Sequence, residues 1–162
     1  MTRIIDKTLA GLLVTLMSVM VVTVCWQVIT RFLLNSPSSY TEELSTYLLI
    51  WISLLGAAYA LRVRAHLGID VFVRRLSDSQ KRSVHVFAHI VIIIFSVVAL
   101  VFGGGWLVYV TLDLNQLSAA FQVPIGYVYL VLPISGLLMI YYSMIAIREN
   151  PDQESPTLLS DG

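Results

Sequence analysis

Four long apolar stretches divide the chain, with charge at their ends. No residue between Lys7 and Arg31 is charged, and a run of roughly 20 residues is what a helix needs to cross about 30 Å of hydrocarbon. A first helix is therefore predicted over about 8–31. Turn formers follow at Asn35-Ser36-Pro37-Ser38-Ser39. Tyr40-Thr41-Glu42-Glu43 then offers Thr41 as a cap with carboxylates in the first turn, opening a second helix over about 42–61. A third is predicted over about 84–110 and a fourth over about 125–147, introduced by Pro124, interrupted by Pro133 and closed by Arg148. Proline is tolerated inside a span where neighbours or a kink absorb the lost hydrogen bond. The triplet Gly103-Gly104-Gly105 has no strand before it and no Lys-Ser/Thr after it, so close helix packing or a kink is expected rather than a phosphate loop.

The connections differ in character. From Arg62 to Arg82 the chain holds Arg62, Arg64, Arg74, Arg75, Lys81 and Arg82 against Asp70 and Asp78. Within it Ile69, Phe72, Val73 and Leu76 fall at i, i+3, i+4 and i+7, while Arg74 and Arg75 point elsewhere. That pattern predicts an interfacial amphipathic helix over about 66–82, its arginines near lipid phosphates, in preference to a solvated loop. Thr111 to Pro124 has no basic residue and reads as a short polar connection. The tail 149–162 has two prolines, four acidic residues and no apolar period, and is predicted to be disordered. The fold class is thus an all-α integral membrane protein, with a four-helix domain over 1–148. Nine of the ten basic residues fall at the amino terminus, in the 62–82 connection or at Arg148, leaving Arg31 alone on the other face. The excess of Lys and Arg on cytoplasmic loops predicts that both termini are cytoplasmic.

Composition agrees and narrows the function. The chain is 57% hydrophobic and 12% charged, with mean hydropathy +0.83, outside the balance of a soluble domain. Zero net charge excludes a general nucleic-acid surface. Cys25 is the single cysteine, so no internal disulfide or cysteine metal cluster can form. The first apolar run is long enough to span and lacks an A-x-A cleavage pattern, which favours a retained helix over a signal peptide.

Candidate chemistry is sparse. His85 and His89 have the spacing of metal-binding histidines on a helix, but no third ligand stands near them, and His66 adds no facing pair for haem, so no metal or cofactor is expected. The four cores contain no charged residue of the sort that coupled carriers keep within their helices. No inverted repeat joins the two halves, and Pro133 has no counterpart in the second helix. Gly56, Ala57 and Ala60 give the second helix a surface that another helix can approach closely. Trp26, Trp51 and Trp106 suit interface belts or packing. Glu42 and Glu43 fit either a pairing with Arg31 or an outward contact for a soluble partner. These features describe a membrane subunit without a catalytic site of its own.

The runs W-Q-V-I-T-R-F (Trp26 to Phe32), N-S-P-S-S-Y-T-E-E-L-S-T-Y-L-L-I-W (Asn35 to Trp51), L-G-A-A-Y-A-L-R (Leu55 to Arg62) and H-L-G-I-D (His66 to Asp70), in this order, resemble the small membrane subunit of tripartite ATP-independent periplasmic (TRAP) transporters, the DctQ type. Q-L-S-A-A-F-Q-V-P-I-G-Y-V-Y-L-V-L-P-I-S-G (Gln116 to Gly136) is similar to that family's entry into its last helix. Tyr40 stands where the family commonly has tryptophan, and Ala119-Ala120 replaces a frequent Ser-Pro-Ala. The resemblance implies a bacterial inner-membrane importer of organic acids in three parts: a periplasmic substrate-binding protein, a large sodium-coupled membrane subunit and this small scaffold. It implies that Arg31, Glu42 and Glu43 lie at the periplasmic rim. Trp51, Gly56, Ala57 and Ala60 become candidates for packing on the large subunit. Arg62, Arg64, His66, Asp70, Phe72, Arg74 and Arg75 become candidates for the cytoplasmic interface. The competing readings are a self-sufficient homo-oligomeric carrier or channel and, more remotely, a redox membrane subunit.

Overall fold

The computed structural model describes residues 2–33, 38–63 and 78–148. Among them every regular element is helical: α1 (Thr2–Phe32), α2 (Ser39–Arg62), α3 (Asp78–Phe95), a π-helical segment (Ser96–Gly103), α4 (Gly104–Asp113), α5 (Gly126–Tyr129) and α6 (Val131–Arg148). Four spans are long and apolar enough to cross a membrane: Arg3–Phe32, Ser39–Arg62, Arg82–Asp113 and Gly126–Arg148. The third runs from within α3 to the end of α4, with the π-helical segment inside it. Most of the interfacial helix expected over 66–82 lies outside the described residues, and α3 begins at Asp78.

The spans pack mainly as a row. α1 lies on α2, α2 on α6, and α6 on α3 and the π-helical segment. Burial follows this order: 33% of the last span's most apolar window is buried, against 11% of the first, so α6 is interior and α1 forms an edge. The core is built from Leu9, Leu55, Ala58, Leu61, Leu100, Val131, Met139 and Tyr142. Large apolar side chains such as Val22, Phe102 and Trp106 are exposed, as lipid-facing positions are. Because lipid tails are as apolar as leucine, contacts between such helices depend on close packing and polar ties more than on the hydrophobic effect.

Close packing explains two glycines. A Cβ placed at Gly104 meets the Leu132 Cβ at 2.6 Å, and one at Gly136 meets the Leu100 Cβ at 2.8 Å. The expected tight approach at the glycine triplet therefore falls on its middle member. The π-helical segment just before it has no signature in the apolar pattern. It shares its seam with α6, where the Ser96 hydroxyl lies 3.7 Å from the Met139 sulfur.

Local sequence accounts for the ends and breaks. Pro133 is the third residue of α6, within the first turn, where its missing N–H has no intrahelical partner to lose. The helical pattern lapses only at Leu130, three residues before the proline, where the backbone stays right-handed helical (φ −56°, ψ −24°) and the span continues from Gly126 to Arg148. Thr41 does not cap α2: Ser38 holds the cap position, and the Thr41 hydroxyl donates back to the Ser38 carbonyl at 2.9 Å. Hydroxyls at lipid depth are satisfied in the same inward way, with Thr15 donating to the Gly11 carbonyl at 2.9 Å and Thr23 to that of Val19 at 2.8 Å.

Candidate functional site

The row is fastened at both ends by carboxylates. At the end bearing the start of α1, Asp6 joins three helices: Arg62 Nε of α2 lies 3.0 Å from Asp6 Oδ2, and the Tyr142 hydroxyl of α6 donates to Asp6 Oδ1 at 3.0 Å. Each carboxylate oxygen has a donor, and the two charged side chains are about a quarter exposed (28% and 22%), so solvent screens the pair only partly. Asp6 and Tyr142 were not among the candidates read from the sequence. A lone acid at the sixth position of a basic amino terminus gives no hint of partners 56 and 136 residues away.

At the opposite end, Glu43, Tyr47 and Trp51 form a stripe on α2 at i, i+4 and i+8, one face of a helix. All three turn toward the α4–α5 connection and α5, directly or through a neighbour. Glu43 Oε2 accepts the Ala120 N–H at 2.8 Å, and its other oxygen accepts the Tyr47 hydroxyl. The Trp51 indole N–H donates to the Val128 carbonyl of α5 at 3.1 Å.

What the stripe holds is a small ordered hairpin. Leu117 and Pro124 form an isolated antiparallel bridge, the Ser118 N–H donates to the Val123 carbonyl at 2.9 Å, and the Ile125 N–H to that of Gln116 at 3.0 Å. Asn115 (φ 48°) and Gln122 (φ 56°) take left-handed backbone, which reverses the chain within a few residues. The buried Ser118 hydroxyl accepts the Phe121 N–H at 3.1 Å, closing the tip. Glu43 thus supplies acceptors to a connection whose turn leaves backbone donors without helical partners. Phe121 also meets Tyr40 edge-on at 5.5 Å between ring centroids. Leu114, Leu117, Phe121, Val123 and Tyr127 remain exposed around the hairpin.

The remaining candidates are distributed as follows. Arg31 and Glu42 are exposed and line, with Gln27 and Ser38, a cleft of about 180 Å³ between the ends of α1 and α2. The Glu43 carboxylate is directed to the hairpin rather than to Arg31. Trp51 is half-buried within its own chain. Gly56 is half-buried with nothing among the described residues within 4 Å of an added Cβ, Ala57 is exposed and Ala60 half-buried, so no described helix is in tight contact at Gly56. Arg62 is drawn into the Asp6 tie. Arg64, His66, Asp70, Phe72, Arg74 and Arg75 lie outside the described residues. The described residues contain no group of three or more His, Cys, Asp or Glu arranged to hold a metal ion. The arrangement fastens helices and shapes a surface.

Four apolar spans, with no charged residue between Lys7 and Arg31, Glu43 and Arg62, Arg82 and Asp113, or Asp113 and Arg148, define a multi-pass membrane protein. Residues 20–150 match the family model described as "Tripartite ATP-independent periplasmic transporters, DctQ component". The chain belongs to this family and is a TRAP transporter small subunit. It is 29% identical over 139 residues to a putative TRAP transporter small permease protein of Haemophilus influenzae, covering 86% of this chain and 84% of the relative. It is 27% identical over 135 residues to the sialic acid TRAP transporter small permease protein SiaQ of Vibrio cholerae, covering 80% and 78%. A shorter similarity, 26% over 102 residues, joins it to the C4-dicarboxylate TRAP transporter small permease protein DctQ of Rhodobacter capsulatus, covering 63% of this chain and 44% of that one.

Proposed function

We propose that this chain is the non-catalytic scaffold of a sodium-coupled TRAP importer, bracing a large transport subunit and helping to dock a periplasmic substrate-binding protein. The observation that carries the reading is the absence of charge from the interior of all four spans, in a chain of this family. A coupled carrier needs ionisable or ion-binding groups along its path; here charge is confined to the span ends, where it ties helices together. Substrate and sodium sites then belong to the large subunit. The substrate class is organic acids such as dicarboxylates or acidic sugars, supported by relatives named for sialic acid and C4-dicarboxylate.

In this reading the membrane is the bacterial inner membrane. The Asp6 end, where basic residues concentrate, faces the cytoplasm with both termini, and the hairpin held by Glu43 faces the periplasm. The surface at Gly56, Ala57 and Ala60 receives a helix of the large subunit. The hairpin with Arg31 and Glu42 contributes to the rim on which the binding protein settles. Affinity capture on this chain from membranes co-expressing a large TRAP subunit tests the assignment. Stoichiometric recovery of that subunit is expected, and its absence in mild detergent overturns the reading.

A further inference from the structure

His85 and His89 lie one turn apart on α3, and their Nε2 atoms face each other at 3.2 Å with ring centroids 4.5 Å apart. His89 is 7% exposed and His85 is half-buried, so the two nitrogens meet away from bulk water. A zinc ion binds imidazole nitrogen at about 2.0–2.1 Å, and a tetrahedral angle at the metal then sets two such nitrogens about 3.3–3.4 Å apart. The observed pair meets that spacing with little movement. It also uses the same ring nitrogen on both residues at i and i+4, the geometry by which a helix chelates zinc through two histidines.

We propose that His85 and His89 form a two-imidazole site for a divalent transition-metal ion of the Cu²⁺, Ni²⁺ or Zn²⁺ type. Without metal the pair shares a proton, one Nε2–H donating to the other Nε2. On binding, that proton leaves Nε2 for the ring's own Nδ1 or for solvent, so both Nε2 lone pairs face the ion. Neutral imidazole suits these metals and not the hard Mg²⁺ or Ca²⁺. The pair supplies two imidazole ligands, and Arg82, exposed one turn earlier on the same face, opposes a cation. Affinity is therefore lower and exchange faster than at a closed four-ligand zinc centre. The ion would clip the first turns of α3, at the end of the row that also carries the Asp6 tie.

The test uses the full chain in detergent, purified without an oligohistidine tag and stripped with a chelator. Titration with Cu²⁺, Ni²⁺ and Zn²⁺ separately is expected to give one equivalent bound, with Cu²⁺ tightest. His85→Gln and His89→Gln are each expected to weaken binding roughly tenfold or more, by loss of half the ligand set. Electron paramagnetic resonance of the Cu²⁺ form should show at least two coordinated nitrogens, a readout that needs no variant to fold. Unchanged affinity in the double variant, a copper signal without two nitrogens, or no binding up to millimolar metal each overturns the proposal. None of these results bears on the transporter assignment.

Discussion

The glycine triplet gives a sharp test of how the row packs, because two adjacent glycines are expected to respond in opposite ways. At Gly104 an added Cβ falls 2.6 Å from the Leu132 Cβ, 3.3 Å from the Pro133 Cδ and 3.4 Å from the Pro133 nitrogen. Carbon atoms pack at about 3.5–4.0 Å. A Cβ cannot rotate away from its own backbone, and Pro133 stiffens the adjoining turn, so α4 and α6 must part by about 1 Å. Overpacking of this kind costs about 1–3 kcal/mol. The gain in helix propensity from glycine to alanine, up to about 1 kcal/mol, offsets part of it. At Gly105 nothing lies within 4 Å of the added atom, so only the propensity gain remains.

Gly104→Ala is therefore expected to lose up to about 2 kcal/mol net, and Gly105→Ala to be neutral or slightly stabilised, so that the two differ by about 1–3 kcal/mol. The assay is thermal unfolding of the purified chain in one detergent, followed by tryptophan fluorescence. A loss of about 1 kcal/mol lowers the midpoint of a chain of this size by about 2–4 °C. Equal midpoints for the two variants would refute the close approach of α4 to α6. Gly136→Ala, whose added Cβ meets the Leu100 Cβ at 2.8 Å, should follow Gly104→Ala.

Three further outcomes follow from the ties and the open surface. In a double-mutant cycle, Asp6→Asn and Arg62→Gln should show a coupling of about 1 kcal/mol in unfolding by denaturing detergent, and Tyr142→Phe should cost about 1–2 kcal/mol by loss of a hydrogen bond to a carboxylate; additive single effects would deny the tie. Glu43→Ala should speed amide hydrogen exchange at Ala120 and Phe121 while leaving α1 protected, and unchanged exchange there would mean that the hairpin holds itself. Gly56→Leu should leave the midpoint of the isolated chain unchanged or slightly raised, since no described residue lies within 4 Å of its Cβ, yet reduce recovery of the large subunit in affinity capture; normal recovery would remove that surface from the interface.

The four spans were legible because lipid makes length and absence of charge decisive: Lys7 to Arg31 can hardly be anything but a crossing. Breaks and packing were less so. Pro133 announced an interruption but not that the chain would restart at Val131, and the triplet announced close packing without marking Gly104 as the contact. The π-helical segment sets Leu100 and Val101 against Gly136, a fit that periodicity along one chain does not record. In the site, Glu43 stands out in the sequence, whereas its partner Ala120 lies in what reads as an ordinary polar connection. The signal available was the spacing of Glu43, Tyr47 and Trp51, three polar-tipped side chains on one helical face. Their spacing predicts a common target but does not name it. Asp6 had no signal of any kind, because its role depends on which helices the row makes neighbours.

The central claim is that this chain braces a transporter and carries nothing itself. It is tested most directly by reconstituting proteoliposomes with this chain alone, with the large subunit alone, and with both, then measuring sodium-driven uptake of an organic acid presented by its binding protein. Uptake is expected with both membrane subunits together and none with this chain alone. Gradient-driven uptake by this chain alone, or full uptake by the large subunit without it, would contradict the claim.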